Sequence, residues 1–247
     1  MTQHINTIQV YDLKPYLCEL DALIIEIKDD LVSFDESIFY PLGGGQPGDT
    51  GRIILPNGDE FSIIDTFRDV LNYNKIWSKL DTKLDKIWQG SIVNTYLNWE
   101  RRYNHMQMHT CMHLLCSLID APVTGCSISE YKARLDFDLP DPIISKEEIT
   151  FKINNLISKC LEVTSKLITK SELDQNLELI RTLDTSPPIY NNIVRLIEID
   201  SIDIQPCCGT HVINTKEIKK IVCTKIKKVS KLNRRIEISW DSNIPEN

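Results

Sequence analysis

Two short runs, about 100 residues apart along the chain, constrain its fold more than any other feature. The first is His109-Thr110-Cys111-Met112-His113, and the second is Cys207-Cys208-Gly209-Thr210-His211. Each run holds two side chains that bind soft metals, separated by three residues, which places them on one face of a helix or in one compact turn. Because four His or Cys side chains complete a tetrahedral zinc shell, the sequence predicts that the fold brings both runs around one Zn2+ ion.

The spacing within the runs selects the metal ligands. His109 and His113 form one pair, and Cys207 and His211 form the other. The neighbouring Cys208 is a competing ligand, but Cys207 reproduces the four-residue step to His211. His105 precedes His109 by four residues, and we interpret it as a polar or supporting residue. One HxxxH run alone is a weak signal, and the CxxxH run in a chain with 5 histidines strengthens it.

Length and composition favour a reduced, cytoplasmic protein. A chain of 247 residues can form one large domain or two smaller ones without disulfide support. We see no apolar run near 18 residues and no secretory leader, so we expect no membrane span. Several of the eight cysteines fall within apolar patterns, as small core residues do.

Charge is distributed unevenly along the chain. The net charge is -7, which argues mildly against nucleic acid as a partner, but residues 216–235 hold nine basic residues and one acid. This stripe could contact phosphates. It could equally be a solvated strand face, because lysine alternates there with Ile and Val and edge strands often carry lysine. The sequence leaves both interpretations open.

Hydrophobic periodicity predicts an α+β protein with two domains. Short apolar runs and the Pro56-Asn57-Gly58-Asp59 turn predict a small β-barrel in residues 1–92. Residues 93–247 are predicted to form an α+β zinc-containing domain with an antiparallel sheet and long helices. One helix should span residues 99–119, and another should begin at the cap Ser145 and run to about Lys170. Strands are expected near residues 131–139, 193–199, 202–204, 218–227 and 235–240, with a short helix near 173–180.

A glycine-rich loop lies between the predicted strands of the first domain. Gly43, Gly44 and Gly45 precede Gln46 and Pro47, and their small size exposes backbone N–H groups to a ligand. The loop lacks the GK[ST] ending of a phosphate loop. We therefore interpret it as a ligand-facing loop of another kind.

Three segments together resemble a known family. PLGGGQPGDTG, RRYNHMQMHTCMHLL and DIQPCCGTHVINTKEI, in this order, are similar to segments of the alanyl-tRNA editing proteins (AlaX), which resemble the editing domain of alanyl-tRNA synthetase. The glycine-rich loop is typical of the longer AlaX type, which keeps an N-terminal barrel. The resemblance implies zinc at His109, His113, Cys207 and His211. It also implies hydrolysis of tRNA(Ala) mischarged with serine, and in some cases with glycine, while Ala-tRNA(Ala) is spared.

The chain departs from this family's pattern at three positions. Cys208 stands where the family usually has the first glycine of CGGTH. Ser37 replaces a threonine that is linked, in the family, to recognition of the hydroxyl group of the substrate's serine. Asn98 replaces an acidic residue. Cys208 could narrow the site or offer a second thiolate. Ser37 keeps a hydroxyl but lacks the methyl group. The first two departures bear on which substrates are accepted.

The expected site therefore has three groups of residues. The candidate catalytic residues, which could bond the serine hydroxyl, are Ser37, Gln46, Thr110 and Cys208. For Thr110, a hydroxyl bonded back to its own helix is the alternative. The candidate substrate-binding residues, which could hold the ester or the phosphates of the acceptor end, are Gly43, Gly44, Gly45, Arg101, Arg102, Gly209 and Thr210. Arg101 and Arg102 could instead pair with carboxylates.

Four protein ligands would close a zinc shell, whereas catalytic zinc usually keeps one position open. Either one ligand is displaced or the zinc chiefly orients the substrate's amino group. A zinc peptidase is disfavoured because HMQMH lacks the glutamate of HExxH. A translation release factor, which has a similar GGQ loop and also cleaves an ester on tRNA, is disfavoured because the four His and Cys residues do not fit that class of protein. A non-catalytic, zinc-stabilised RNA-binding module is the alternative function. We expect a monomer or weak dimer that binds the acceptor end of tRNA(Ala) and no membrane.

Overall fold

The structure is a computed structural model that describes residues 6–140, 144–183 and 186–241. It divides into two compact units, Met1–Tyr103 and Asn104–Asn247. The predicted α+β class is confirmed, because one unit is a barrel and the other combines sheets with helices. No helix among the described residues has the length and apolar character that a membrane span requires.

The N-terminal unit is built around a closed barrel of six strands, in the order β2-β3-β7-β6-β5-β8. Its elements are β1 Ile8–Gln9, α1 Val10–Leu13, β2 Glu19–Lys28, β3 Leu31–Phe34, β4 Glu36–Ser37, β5 Gly51–Ile54, β6 Glu60–Arg68, β7 Ile76–Leu80, a 3-10 turn Lys86–Trp88 and β8 Ile92–Leu97. Alternating apolar side chains fill its interior, including Ile24, Val32, Ile53, Ile63 and Val93, each at most 2% exposed. The predicted small barrel is thus confirmed.

The hairpin between β5 and β6 forms where the sequence predicts it. Gly58 adopts a φ of +91°, which an L side chain tolerates poorly. Asn57 caps the turn, because its side-chain oxygen accepts from the backbone N–H of Asp59 at 3.0 Å. This local chemistry sets the register of the two strands.

The C-terminal unit carries a long helix and two antiparallel sheets. Its elements, with α2 beginning just before the unit boundary, are α2 Trp99–Leu118, β9 Val123–Ile128, β10 Lys132–Asp138, α3 Lys146–Ser158, β11 Val163–Thr169, α4 Lys170–Asp174, a 3-10 turn Leu177–Leu179, β12 Ile193–Ile199, β13 Asp203–Pro206, a 3-10 turn Thr215–Glu217, β14 Ile221–Lys228 and β15 Asn233–Trp240. The larger sheet has the order β14-β15-β10-β9, and the smaller one β11-β12-β13.

The second predicted helix is shorter than expected. Ser145 does cap it, accepting from the backbone N–H of Glu148 at 3.1 Å, but the helix ends at Ser158 rather than near Lys170. Cys160 takes a φ of +53°, which interrupts the helical path. The following residues form β11, where Val163 pairs with Ile199 across the smaller sheet. Tertiary pairing of these β-branched residues overrides the apparent helical pattern.

Helix α3 also covers the outer edge of β14. The side-chain amide of Asn154 donates to the carbonyl of Ile221 and accepts from its N–H, and the Thr150 hydroxyl accepts from the N–H of Cys223. Backbone groups that an edge strand would otherwise expose are therefore satisfied by a helix.

Candidate metal centre

The four predicted ligands converge at one buried point in the C-terminal unit. His109 and His113 project from the same face of α2, with ring centroids 5.7 Å apart. Cys207 follows the end of β13, and His211 lies four residues beyond it. The ligand atoms of the four side chains all lie within 4.8 Å of one another, and this cluster could hold a metal ion.

The spacing and chemistry of the cluster fit a tetrahedral ion. The Sγ atom of Cys207 lies 3.4 Å from Nε2 of His109 and 3.3 Å from Nε2 of His211. In a tetrahedral zinc shell, sulfur and nitrogen ligands lie about 3.5 Å apart. A donor set of one thiolate and three imidazoles suits zinc and related soft or borderline ions.

His113 is held by a carboxylate on the side away from the cluster. Its Nδ1 donates to Oδ2 of Asp203 at 2.8 Å, and the side-chain amide of Gln205 donates to the same oxygen at 2.8 Å. The proton therefore resides on Nδ1, which leaves Nε2 available as a ligand. Asp203 and His113 are almost entirely buried, with side chains 5% and 6% exposed.

His211 is held in the same way by a hydroxyl group. The Thr110 hydroxyl donates its single proton to the carbonyl of Met106 at 2.9 Å. It consequently accepts from Nδ1–H of His211 at 3.1 Å, which again leaves Nε2 for the ion. Thr110 thus bonds back to its own helix, the alternative considered from the sequence, and it also orients a ligand.

Electrostatics favour the ligand form of the sulfur. Burial raises the pKa of the Cys207 thiol, but the nearby His109 and His211 outweigh burial and hold the pKa well below its ordinary value. The backbone N–H of Gly209 also donates to Sγ at 3.3 Å. Burial lowers the pKa of His211 well below its usual value and outweighs the opposing effect of the Cys207 thiolate, which keeps that imidazole neutral. A thiolate and a neutral imidazole are the forms that bind metal.

Gly209 allows the Cys207–His211 loop to pack directly against His109. A Cβ atom at this position would lie 2.0 Å from Cε1 of His109, far inside van der Waals contact. Arg195 of β12 fixes the same loop, since its guanidinium donates to the carbonyls of Cys207 and Gly209 at 3.2 and 2.8 Å. These contacts hold the loop in the conformation that presents Cys207 and His211 to the cluster.

The remaining candidate residues of the C-terminal unit lie beside this loop. Cys208 is partly exposed, and Thr210 is buried at 1% exposure. The N–H of Gly209 is already used by the thiolate, so the backbone here has one donor fewer than the sequence suggests. His105 is fully buried within α2.

The glycine-rich loop of the N-terminal unit forms a tight two-residue turn. Gly44 and Gly45 have φ angles of +56° and +79°, and Gly43 and Gln46 exchange both backbone hydrogen bonds. The Gly43 amide is therefore committed to the turn and cannot bind a ligand, contrary to the sequence expectation. Gln46 is fully buried, and the Ser37 hydroxyl accepts from the N–H of Phe39 at 3.1 Å.

Arg102 pairs with a buried carboxylate, which is the alternative to phosphate binding that the sequence left open. Its guanidinium is fully buried and forms an ion pair with Asp49, at 2.9 Å from Nε to Oδ2. It also donates to the carbonyls of Pro15 and Ile38 at 3.0 and 2.6 Å. Burial of this charge is tolerated because its partners satisfy it, and none of it is exposed to RNA. Arg101 is partly exposed and donates to the Gly48 carbonyl at 3.3 Å.

Sequence reasoning missed Asp203, Gln205 and Arg195. A usable signal exists for the first two. Asp203, Gln205 and Cys207 are spaced two residues apart, and side chains with that spacing lie on the same face of a strand. A strand that ends at Cys207 therefore presents Asp203 and Gln205 on the side of the ligand. Arg195 lies on another strand and carries no comparable signal.

Comparisons with known proteins find a matching family and several relatives. Residues 194–237 match the family described as threonyl and alanyl tRNA synthetase second additional domain. The chain is similar to the alanyl-tRNA editing protein AlaX-M of Methanosarcina barkeri, with 32% identity over 239 residues that cover 92% of this chain and 96% of that protein. The AlaX-M of Methanosarcina acetivorans is 34% identical over 242 residues, with the same coverage of each chain.

Longer proteins contain the same region. The alanyl-tRNA editing protein AlaX-L of Pyrococcus horikoshii is 31% identical over 242 residues, which cover 94% of this chain and 57% of that protein. The alanine–tRNA ligase of Ignicoccus hospitalis is 29% identical over 251 residues, which cover 97% of this chain and 26% of the ligase. The matched region therefore occurs both as most of a protein and as part of a larger one.

Proposed function

The chain belongs to the family of alanyl-tRNA editing proteins, and from this premise we propose that it hydrolyses mischarged tRNA(Ala). The proposed substrates are Ser-tRNA(Ala) and, in addition, Gly-tRNA(Ala), and the reaction is cleavage of the aminoacyl ester. Ala-tRNA(Ala) is spared. We further propose that the protein works in the cytoplasm as a monomer or weak dimer, with a β-barrel domain over residues 1–92 and an editing domain over residues 93–247.

The converging cluster of His109, His113, Cys207 and His211 carries this proposal. We propose that it holds Zn2+, since one thiolate and three imidazoles are the ligands that zinc prefers. Zinc bound there supplies a Lewis acid that can hold the amino group or the ester carbonyl of the substrate. The chain itself contributes the Cys207 thiolate and the neutral His211 imidazole, with His109 and His113 held beside them on α2.

Discrimination against alanine requires a partner for the serine hydroxyl. A site built to bond a hydroxyl rejects the analogue that lacks it by about 10⁴-fold or more, because its polar groups would be left unpaired. The Thr110 hydroxyl is already bonded to Met106 and His211, so its proton is not available to the substrate. Ser37, Gln46 and the partly exposed Cys208 remain the proposed partners.

The acceptor end is a polyanion, so phosphate contacts accompany recognition of the ester. Arg101 is partly exposed and remains a proposed contact. Thr210 and the turn formed by Gly44 and Gly45 are proposed to border the bound nucleotide. Arg102 has no such role, because its buried guanidinium bonds Asp49 and backbone carbonyls.

The test is deacylation of Ser-tRNA(Ala), Gly-tRNA(Ala) and Ala-tRNA(Ala) by the purified full chain, with metal content measured by elemental analysis. We expect one zinc per chain, hydrolysis of the first substrate and no hydrolysis of the third. Cys207→Ala should remove both the metal and the activity, because it removes one of four ligands.

Cys160→Ala is the matched control, since Cys160 is an exposed cysteine of the same unit and lies outside the cluster. This variant should keep metal and activity. Stoichiometric metal with no turnover of any mischarged tRNA would instead favour the non-catalytic RNA-binding alternative. Turnover by Cys207→Ala at the wild-type rate would contradict the role given to the cluster.

A further inference from the structure

The end of the β14–β15 hairpin concentrates positive charge in an otherwise acidic chain. Residues 224–235, which we call the basic hairpin, contain six Lys or Arg residues and no Asp or Glu, whereas the whole chain has a net charge of -7. The segment includes the end of β14, the connecting turn and the start of β15. This is the most basic part of the stripe whose role the sequence leaves open.

The two arginines of the basic hairpin hold it in place. Arg235 forms a two-pronged pair with Asp136 of β10, at 2.8 Å for each nitrogen–oxygen contact. Arg234 is 6% exposed and donates to the carbonyls of Asn233 and Pro140. Because planar guanidinium groups form such paired contacts in fixed geometry, the hairpin is anchored to the sheet.

The four lysines have the opposite environment. Lys225, Lys227, Lys228 and Lys231 are all exposed. Within the part of the chain that the structure describes, none of them forms an ion pair, although Glu237 is the cross-strand neighbour of Lys225. Lys225 and Lys227 lie on the open face of the sheet, where their neighbours in register are Glu237 and Arg235. Lys228 points to the other face, and Lys231 lies in the turn.

We propose that the basic hairpin is a docking surface for the phosphate backbone of RNA, and this rests on the proposed function. Lysine ammonium groups act as point charges that neutralise phosphates without reading a base. Lysines on both faces and on the turn of this anchored hairpin suit an RNA backbone that passes across its end. A chain with net negative charge repels a polyanion, so attraction has to come from such a local concentration.

The alternative interpretation, a solvated edge strand, does not explain this arrangement as well. Lysine protects an exposed strand edge against association, but the outer edge of β14 is already covered near Ile221 by Asn154. The lysines instead cluster at the far end of the strand, beyond that cover. Val229 and Leu232 are the exposed apolar side chains in the turn.

The test is binding of labelled, deacylated tRNA(Ala) to the full chain across a series of KCl concentrations. In the variant Lys225→Ala, Lys227→Ala, Lys228→Ala, we expect affinity at low salt to fall about tenfold or more. The slope of log affinity against log salt should fall by about 2, because each phosphate contact contributes about 0.7 to 0.9. These exposed side chains can be removed without loss of core contacts, and metal content verifies folding.

The control variant replaces three other exposed lysines, Lys83, Lys86 and Lys159, with alanine. This variant changes the net charge of the chain by the same amount as the hairpin variant. Because its three lysines lie outside the basic hairpin, it should leave both affinity and slope near their wild-type values. Equal losses in the two variants, or no loss in the hairpin variant, would overturn the proposal. So would lysine-dependent binding to phosphatidylserine vesicles with no lysine dependence of tRNA binding.

The outcome is separate from that of the proposed function. Binding of deacylated tRNA needs no hydrolysis, so wild type that fails to cleave Ser-tRNA(Ala) could still show lysine-dependent binding. Conversely, an active enzyme whose tRNA affinity ignores the hairpin lysines would contradict this inference alone.

Discussion

At the scale of single residues, contacts on the far side of the histidine rings decide which nitrogen atoms face the centre of the cluster. Asp203 and Thr110 each accept the Nδ1 proton of a histidine, so both His113 and His211 present Nε2 to the cluster. A histidine without such a contact could rotate or carry its proton on the other nitrogen. The arrangement therefore reduces the entropy that metal binding would otherwise cost.

Asp203→Asn should weaken metal affinity about 10- to 100-fold, because the amide accepts from Nδ1 of His113 without the negative charge. Competition for zinc with a chromophoric chelator measures this change directly. Asp200→Asn is the control, since Asp200 is exposed and lies three residues earlier in the chain. Equal zinc affinity in the two variants would refute the supporting role of Asp203.

Gly209→Ala should disrupt the centre sterically. The new methyl group would lie 2.0 Å from Cε1 of His109, so either the loop or the ring has to move. We expect reduced zinc content and a loss of about 1–3 kcal/mol in the free energy of unfolding, measured by urea denaturation. Gly125→Ala should be well tolerated, because its nearest contact would be 3.4 Å, and a similar loss there would argue against a local cause.

At the scale of elements, caps and ion pairs connect the strands and helices of the C-terminal unit. The prediction of α3 was right at its start, where Ser145 has a specific cap, and wrong at its end. Helix ends without a capping signal depend on what the next residues pair with, and here they pair with β12.

Ser145→Ala should lower the free energy of unfolding by about 1 kcal/mol, because the N–H of Glu148 loses its acceptor. Thermal or urea denaturation measures the change. Ser158→Ala provides the comparison at the last residue of the same helix, where the hydroxyl bonds the carbonyl of Asn155 and caps no N–H. A Ser145 variant as stable as wild type would show that the cap contributes nothing.

The pairing of Asp136 with Arg235 should give stability that depends on pH. Burial raises the pKa of Asp136, but hydrogen bonds and charge from Arg235 and Arg134 outweigh it and lower the pKa. A carboxyl with a depressed folded-state pKa stabilises the protein above its unfolded-state pKa, and the benefit is lost as pH falls through the folded-state value.

Asp136→Asn should therefore cost about 1 kcal/mol near neutral pH, with a smaller deficit at the lowest pH at which both proteins fold. Urea denaturation at a series of pH values tests this. Asp174→Asn, which removes an exposed pair with Lys170, should cost less at every pH. A deficit for Asp136→Asn that grows on acidification would contradict the assigned sign.

At the scale of the whole molecule, the metal cluster belongs to one of the two compact units. Its ligands come from α2 and from the loop after β13, about 100 positions later in the chain. An ion bound there joins segments that are distant in sequence, so its binding free energy contributes to the folding of that unit.

Chelation should consequently loosen the C-terminal unit selectively. Hydrogen–deuterium exchange with and without EDTA should show faster exchange around His109–His113 and Cys207–His211, with unchanged protection of the barrel strands. Cys207→Ala should exchange at the chelated rate in both conditions. If hydrogen exchange in the C-terminal unit were unchanged after verified removal of the metal, a structural contribution of the ion would be contradicted.

Much of this organisation could be predicted from local patterns. Alternating strands, the Asn57-Gly58 turn and the unbroken periodicity of α2 predict the barrel and the long helix, because each depends on nearby residues. The four residues of the cluster could be predicted from spacing and from the scarcity of histidine. The end of α3 could not, since its sequence also permits a helix.

The sequence by itself determined which side chains can bind a metal and which family the three motifs resemble, because residue chemistry and spacing are local properties. Tertiary structure alone decided the roles of Asp203, Arg195 and Arg102, and the split between anchoring arginines and exposed lysines in the basic hairpin. Those roles depend on which atoms meet across strands and on which charges are buried, and chain order does not specify either.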